Sequence, residues 1–255
     1  MKKIKAIAQK PYFLVFSCVC LFIFLSSSKL GIFKASPSKK QVNFPVISLV
    51  PNLTIVDVKV QKYNVLLLLR NDSDKAITAI SLSSSEVNYR SEWIDTEKVI
   101  APGATGIEQC GLPSPTSPEK GITILAVVYE DGTSDGESKF VRQIFDTRAG
   151  TQAQIARILP LFRDALVTPK NMRLMQKQEA IKLKLEQLPE EEEGRSLEFR
   201  VGLHNARELA LDKLKQLEQI EQEKGEDVAR QVLSYIVNKY EKENLAILKS
   251  LKRTQ

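Results

Sequence analysis

Thr54-Ile55-Val56-Asp57-Val58-Lys59-Val60, Val65-Leu66-Leu67-Leu68-Leu69 and Ala76-Ile77-Thr78-Ala79-Ile80-Ser81-Leu82 decide the fold class. The first and third stretches alternate between apolar and polar side chains, and the second is a continuous apolar run. A period of two places successive side chains on opposite faces of an extended backbone, so each stretch predicts a β-strand. Asn71-Asp72-Ser73-Asp74 supplies turn residues between the second and third. Further strands are expected at 86–94, 106–110, 122–130 and 138–145. Ala101-Pro102-Gly103, the proline-rich stretch Pro113 to Pro118, and Asp131-Gly132 separate them. Seven short strands with turn signals between them, in about 100 residues, predict an immunoglobulin-like or fibronectin-like antiparallel β-sandwich over residues 53–147. The lone Trp93 is expected in or beside its core.

After Arg148 the period lengthens to about 3.6. Ile155, Ile158, Leu159, Phe162 and Leu166 then fall on one helical face. Pro160 is expected to kink this helix and Pro169 to end it. A second helix is predicted over Met172 to Leu188, ahead of Pro189 and the acidic run Glu190 to Glu193. A third spans Ser196 to Glu223, with Leu203, Ala206, Ala210, Leu214 and Leu217 on a stripe, and Gly225 breaks it. A fourth covers Glu226 to Leu251, carrying Val228, Val232, Ile236, Tyr240 and Leu251. The expected class is therefore α+β, a sandwich followed by a separate all-α tail over 148–255. The tail is a hairpin or small bundle, or its stripes pack on a partner's helices or on a second copy.

Ahead of the first strand, Lys2, Lys3, Lys5 and Lys10 precede the uncharged run Tyr12 to Leu25. As a helix this run reaches roughly 21 Å, short of a hydrocarbon core about 30 Å thick. Residues 1–28 have the layout of a secretory signal, with Ser26 and Ser28 suited to cleavage before Lys29. Retention as an anchor through residues 12–28, with Lys29 snorkelling, and acylation at Cys18 or Cys20 are the alternatives. Residues 29–52, with Pro37, Pro45 and Pro51, read as a linker. The expected location is the periplasm or cell envelope, with inner-membrane attachment if the leader stays.

The net charge of +6 sits almost wholly in that leader and linker. Residues 1–40 carry eight lysines and no acid, 41–150 carry a net −4, and 151–255 a net +2. Without a basic face in the body of the chain, DNA or RNA binding has no electrostatic footprint. Of the three cysteines only Cys110 lies outside the leader, so the body forms no internal disulfide. A bridge-free exported domain fits a bacterial envelope protein.

Catalytic signatures are sparse. His204 is the only histidine, and no serine sits in a Gly-x-Ser-x-Gly elbow. No Gly-x-Gly-x-x-Gly fingerprint or Walker loop occurs either. Tyr129-Glu130-Asp131-Gly132-Thr133-Ser134-Asp135-Gly136-Glu137 gathers four carboxylates, and Asp131, Asp135 and Glu137 are a candidate calcium set. The spacing departs from the twelve-residue EF-hand loop, and Asp-Gly is equally a hairpin signal. No cofactor is expected.

The stretch Leu69 to Ala79, Ala101-Pro102-Gly103, Tyr129 to Glu137 and Arg148-Ala149-Gly150 together resemble a loose group of exported bacterial proteins of unknown function. These look like Ig-like or fibronectin-like sandwiches, and the likeness covers about residues 53–155. It implies an envelope location and carries over no functional residue. The expected function is a non-catalytic protein–protein interaction module. The alternatives are a carboxylate-dependent envelope hydrolase acting on glycans, with two acids about 5 to 9.5 Å apart, and a structural anchor that oligomerises through its helices.

Overall fold

The computed structural model describes residues 44–61, 64–84, 87–92, 99–111, 121–167 and 174–252. The leader, Trp93, Pro113 to Pro118 and Pro169 lie outside them. Eight strands and four helices follow in chain order: β1 (Val46–Ser48), β2 (Leu53–Val60), β3 (Asn64–Asn71), β4 (Ile77–Ser84), β5 (Val87–Glu92), β6 (Thr105–Gly111), β7 (Ile122–Tyr129), β8 (Ser134–Gly136), α1 (Ser138–Leu166), α2 (Leu174–Glu186), α3 (Leu197–Lys224) and α4 (Glu226–Leu251). The class is α+β.

One sheet has the order β2-β3-β6, and the other β1-β7-β4-β5 with β8 also on β7. Their inner faces share one apolar core: Val65, Leu67 and Leu69 of β3 meet Ile77, Ile80 and Leu82 of β4 and Ile122, Ile124 and Val127 of β7. The turn expected at Asn71 is built on that residue. Its buried side-chain amide donates to the carbonyls of Lys75 (2.7 Å) and Ile100 (2.8 Å), and its Oδ1 accepts from the Ser73 amide and hydroxyl. An asparagine here satisfies the backbone of two chain segments at once, which an apolar side chain cannot do.

The stretch 138–145 is helix, not the seventh strand expected from the sequence. Two causes act together. Phe140, Val141, Ile144 and Phe145 recur at i, i+4, the helical spacing, and this outweighs the β propensity of Val, Ile and Phe. The edge of β7 is also already occupied. β8 pairs with Ala126 to Val128, and β1 pairs in parallel with Ile122 to Ile124. Residues 44–50, expected within the linker, thus belong to the fold, with Phe44 and Val50 buried in the core.

α1 lies on the outer face of the β1-β7-β4-β5 sheet, where Phe140, Ile144 and Phe145 pack on Ala79, Leu125, Ala126 and Val128. This explains why β7 is apolar along nearly its whole length, since both its faces are covered. The sheet–helix boundary expected at 147–148 falls inside α1, which continues through Pro160 into the helical layer. There Ile158, Phe162, Ile181, Ala210, Leu214, Leu233 and Tyr240 share a second core. The stripes expected on α1 and α3 are the buried ones. On α4 the expected Ile236 and Tyr240 are buried together with Ala229, Leu233 and Val237, whereas Val228 is exposed. α1 and α3 meet backbone to backbone at Gly150 and Gly202: a Cβ on Gly202 would fall against the Thr147 carbonyl and 2.7 Å from the Thr151 nitrogen. Sheets and helices belong to one compact unit, Asn43–Gln255.

Candidate functional site

The most concentrated polar chemistry lies between β4, β5 and α1. Thr78 on β4 and Arg90 and Glu92 on β5 come from adjacent strands, with Ala79 opposite Glu92 and Ser81 opposite Arg90. Gln143, Thr147 and Arg148 come from consecutive turns of α1. Arg148 is 2% exposed and sets its Nε 3.4 Å from Glu92 Oε2. It also donates to Thr78 Oγ1 (2.9 Å), and Thr78 donates onward to the Val128 carbonyl (3.1 Å). Arg90 donates to the Gln143 carbonyl (3.0 Å) and to Thr147 Oγ1 (2.8 Å), and the Gln143 amide donates to Glu198 on α3 (2.7 Å).

Burial dominates the electrostatics of this seam. It pushes the Glu92 carboxyl above the usual carboxylate range, against the pull of Arg148 and Arg90. It also pushes the Arg148 guanidinium down, against the pull of Glu92. Glu92 Oε1 has no hydrogen-bond partner. One long contact and an orphaned oxygen make a strained ion pair, which pins the helix to the sheet at a cost in desolvation. Thr78 and Thr147 each donate their proton to a carbonyl, so neither hydroxyl is set up as a nucleophile.

Two of the three calcium candidates are engaged within the protein. Asp131 Oδ1 accepts from the Thr133 amide (2.9 Å) and hydroxyl (2.6 Å), and its Oδ2 lies 3.1 Å from Lys75 Nζ. Burial pulls this carboxyl upward, but Thr133 and Lys75 outweigh it and bring it down to about 2. Asp135 accepts from the Tyr129 hydroxyl (2.7 Å), and Glu137 precedes the first residue of α1. Among the described residues no group of three or more His, Cys, Asp or Glu is placed to hold a metal ion.

Cys110 is buried, and burial with the nearby Glu108 carboxylate pushes its thiol up to about 12. His204 is 51% exposed on α3, with Nδ1 3.9 Å from Glu190. The acidic run is tied down by arginines: Glu192 pairs with Arg157 and Arg195, Glu191 with Arg200, and Glu190 with Arg207. Two buried or half-buried acids of the sheets diverge, since Glu92 meets Arg148 on the helix side and Glu108 accepts from Ser91 between the sheets.

The outer faces of the two sheets differ. One is covered by α1, whereas the outer face of β2-β3-β6 carries Ile107 (63% exposed) opposite half-buried Leu68, with Val56 (48% exposed) at the bulge in β2 beside them. Sequence reasoning missed the Glu92–Arg148 pair and the Gly150–Gly202 crossing. The available signal was Arg148 itself, a charge four residues after Ile144 and seven before Ile155 on one helical line.

No protein-family model matches the chain, and no curated protein matches it significantly in sequence. No helix among the described residues is long and apolar enough to cross a membrane.

Proposed function

We propose that this chain is a non-catalytic protein–protein interaction module of the bacterial cell envelope, exported by its leader and built on an Ig-like sandwich. The strand order β2-β3-β6 against β8-β7-β4-β5 supports the Ig-like reading, with β8 as a shortened last strand and β1 filling the rest of its place on β7. The observation that carries the binding role is the open outer face of β2-β3-β6, where Val56 and Ile107 stand in solvent while the opposite sheet wears a helix. Exposed apolar side chains on a rigid sheet, with the Asp57–Lys59 ion pair beside them and Thr54, Arg70 and Gln109 around them, suit a protein partner better than a small molecule. The helices hold the second sheet covered and leave the first for recognition.

A photo-crosslinking residue placed at Ile107 in the full-length protein, in fractionated bacterial cells, tests this. The expected result is a discrete crosslinked protein in the envelope fraction that disappears when Val56 is changed to Asp. Full-length protein in the soluble cytoplasm would overturn the envelope location. An envelope protein with no crosslink from Ile107, but with one from a control position on α4 such as Tyr235, would overturn the choice of surface.

A further inference from the structure

β1 is where the chain from the leader joins the fold, and its two sets of side chains have different surroundings. Val46 and Ser48 stand opposite Ile122 and Ile124, on the side of the shared core. Ile47, opposite Thr123, and Leu49 therefore look out from the other face of that sheet. α1 covers this face at Leu125 and Ala126 through Phe140. It leaves Ile47 57% exposed and Leu49 44% exposed. The amides of Leu49 and Glu137 donate to the successive carbonyls of Ile124 and Leu125, which sets Glu137 beside the apolar pair, and Lys139 two residues on balances its charge.

The sequence leading into β1 carries a matching pattern. Residues 12–28 are seventeen uncharged residues, the lower limit of a helix that spans a bilayer. Lys29, Lys34, Lys39 and Lys40 follow, and no acid precedes Asp57. Residues 29–43 reach at most about 50 Å, so an anchored leader would hold β1 close to lipid. We propose that the leader stays in the membrane and that Ile47 and Leu49 rest on the anionic lipid surface beside it. This rests on the envelope location proposed above and adds what orients the body there. Peripheral attachment combines apolar contact with attraction of cations to anionic lipid, and Ile47 and Leu49 supply the first while the four lysines supply the second. The tether raises the local concentration, so a small apolar contact suffices. Because the two sheets pack inner face to inner face, this placement turns the outer face of β2-β3-β6 away from the membrane.

Photo-crosslinking to lipid tests the proposal. Full-length protein with a benzophenone side chain in place of Ile47, Ile107 or Tyr235 is reconstituted in vesicles of phosphatidylethanolamine and phosphatidylglycerol, irradiated and weighed intact. The phospholipid adduct at position 47 is expected to exceed those at 107 and 235 at least about tenfold. Leu49→Asp is expected to lower the adduct at 47 about tenfold, as loss of one aliphatic contact implies. Vesicle-bound protein with no excess adduct at 47 would overturn the proposal, and an equal yield in phosphatidylcholine vesicles would overturn the choice of anionic lipid. A crosslink from position 47 into residues 29–43 would also overturn it, by making the chain's own linker the occupant. Recovery from cells of an envelope protein that begins only at Lys29 would remove the retained leader and leave the β2-β3-β6 recognition face standing. Absence of the Ile107 crosslink in cells, with the lipid adduct at 47 present, would remove that recognition face and leave the lipid contact standing.

Discussion

Replacing Gly202 with alanine isolates the closest helix crossing in the molecule. Within a helix the substitution is intrinsically favourable by about 1 kcal/mol, because alanine loses less backbone freedom on folding. Here the added carbon would sit against the Thr147 carbonyl oxygen and 2.7 Å from the Thr151 nitrogen, inside the 3.0 Å that real Cβ atoms respect. Both neighbours are backbone of α1, so no side chain can swing aside. The helices must separate by several tenths of an ångström, which loosens Leu203, Ala206 and Ile155 together. Overpacking of this kind costs about 1–3 kcal/mol, and more where backbone must move. Set against the propensity gain, the net expectation is a loss of about 2 kcal/mol. For a chain of this size that lowers the melting temperature by about 4–8 °C. Thermal and urea denaturation followed by far-UV circular dichroism reads it, with Gly194→Ala as the control. Gly194 has open space around it but a φ of 75°, so its loss is confined to left-handed strain of about 1–2 kcal/mol. A Gly202→Ala variant more stable than wild type by about 1 kcal/mol would refute the backbone-contact argument, since only the propensity gain would then be acting.

Asn71→Ala removes two side-chain hydrogen bonds, to the buried Ile100 carbonyl and the half-buried Lys75 carbonyl, and is expected to cost about 2–4 kcal/mol in urea denaturation. An Asn71→Ala variant within 0.5 kcal/mol of wild type, roughly the scatter of surface substitutions, would contradict the assignment of that turn. Because burial raises the Glu92 carboxyl, its neutral form is the one the fold favours. The contribution is fully present below the unfolded value near 4.5 and fades as pH rises through the raised folded value. Glu92→Gln is therefore expected to gain stability relative to wild type from pH 4 to pH 8, and a flat difference across parallel melts would contradict it. Arg148→Met alone leaves Glu92 without its cation, whereas Arg148→Met with Glu92→Leu replaces the pair by apolar groups. The double variant is expected to be the more stable of the two, read by urea midpoints. Asp131 shows the opposite sign from Glu92: its carboxyl is lowered to about 2, so Asp131→Asn is expected to weaken the fold above pH 4 and to match wild type as pH falls through 2. Parallel acid titrations of the two proteins check this.

The strands β2, β3, β4 and β7 and the helices from about residue 150 onward are legible because each carries its own period over seven or more residues, or a continuous apolar run. The stripes of α1 and α3 and the helix break at Gly225 follow from spacing alone. The three-residue strand β1 was not legible, because nothing local marks Val46 to Ser48 as a strand. Its partner lies 76 residues away on β7. Residues 138–145 show two local signals in conflict, and occupation of the β7 edge, a tertiary fact, favours the helical one. Of the α4 stripe, Ile236 and Tyr240 are buried and Val232 and Leu251 pack against the same core, while Val228, in the first turn, is exposed and the small Ala229 beside it is buried instead. For the seam, charge pairing between residues 56 apart is invisible in sequence until the fold joins them. The acidic loop at 129–137 reads as a cation site when its carboxylates are counted alone, because the Lys75 ammonium that meets Asp131 and the Tyr129 hydroxyl that meets Asp135 are not evident from spacing.

The parallel pairing of β1 with β7 also sets how the molecule bears tension. A pull on residues preceding Phe44, resisted through the helices that follow β7, draws the two strands in opposite directions along their common axis. The Ile122 amide to Pro45 carbonyl and Leu49 amide to Ile124 carbonyl bonds (each 2.9 Å) are then loaded together in shear rather than peeled one at a time. Phe44 and Val50, seated in the core at either end of the pair, act as stops. An antiparallel pair in that position would unzip under the same pull. If the leader stays in a membrane, this joint is where the body would hold on.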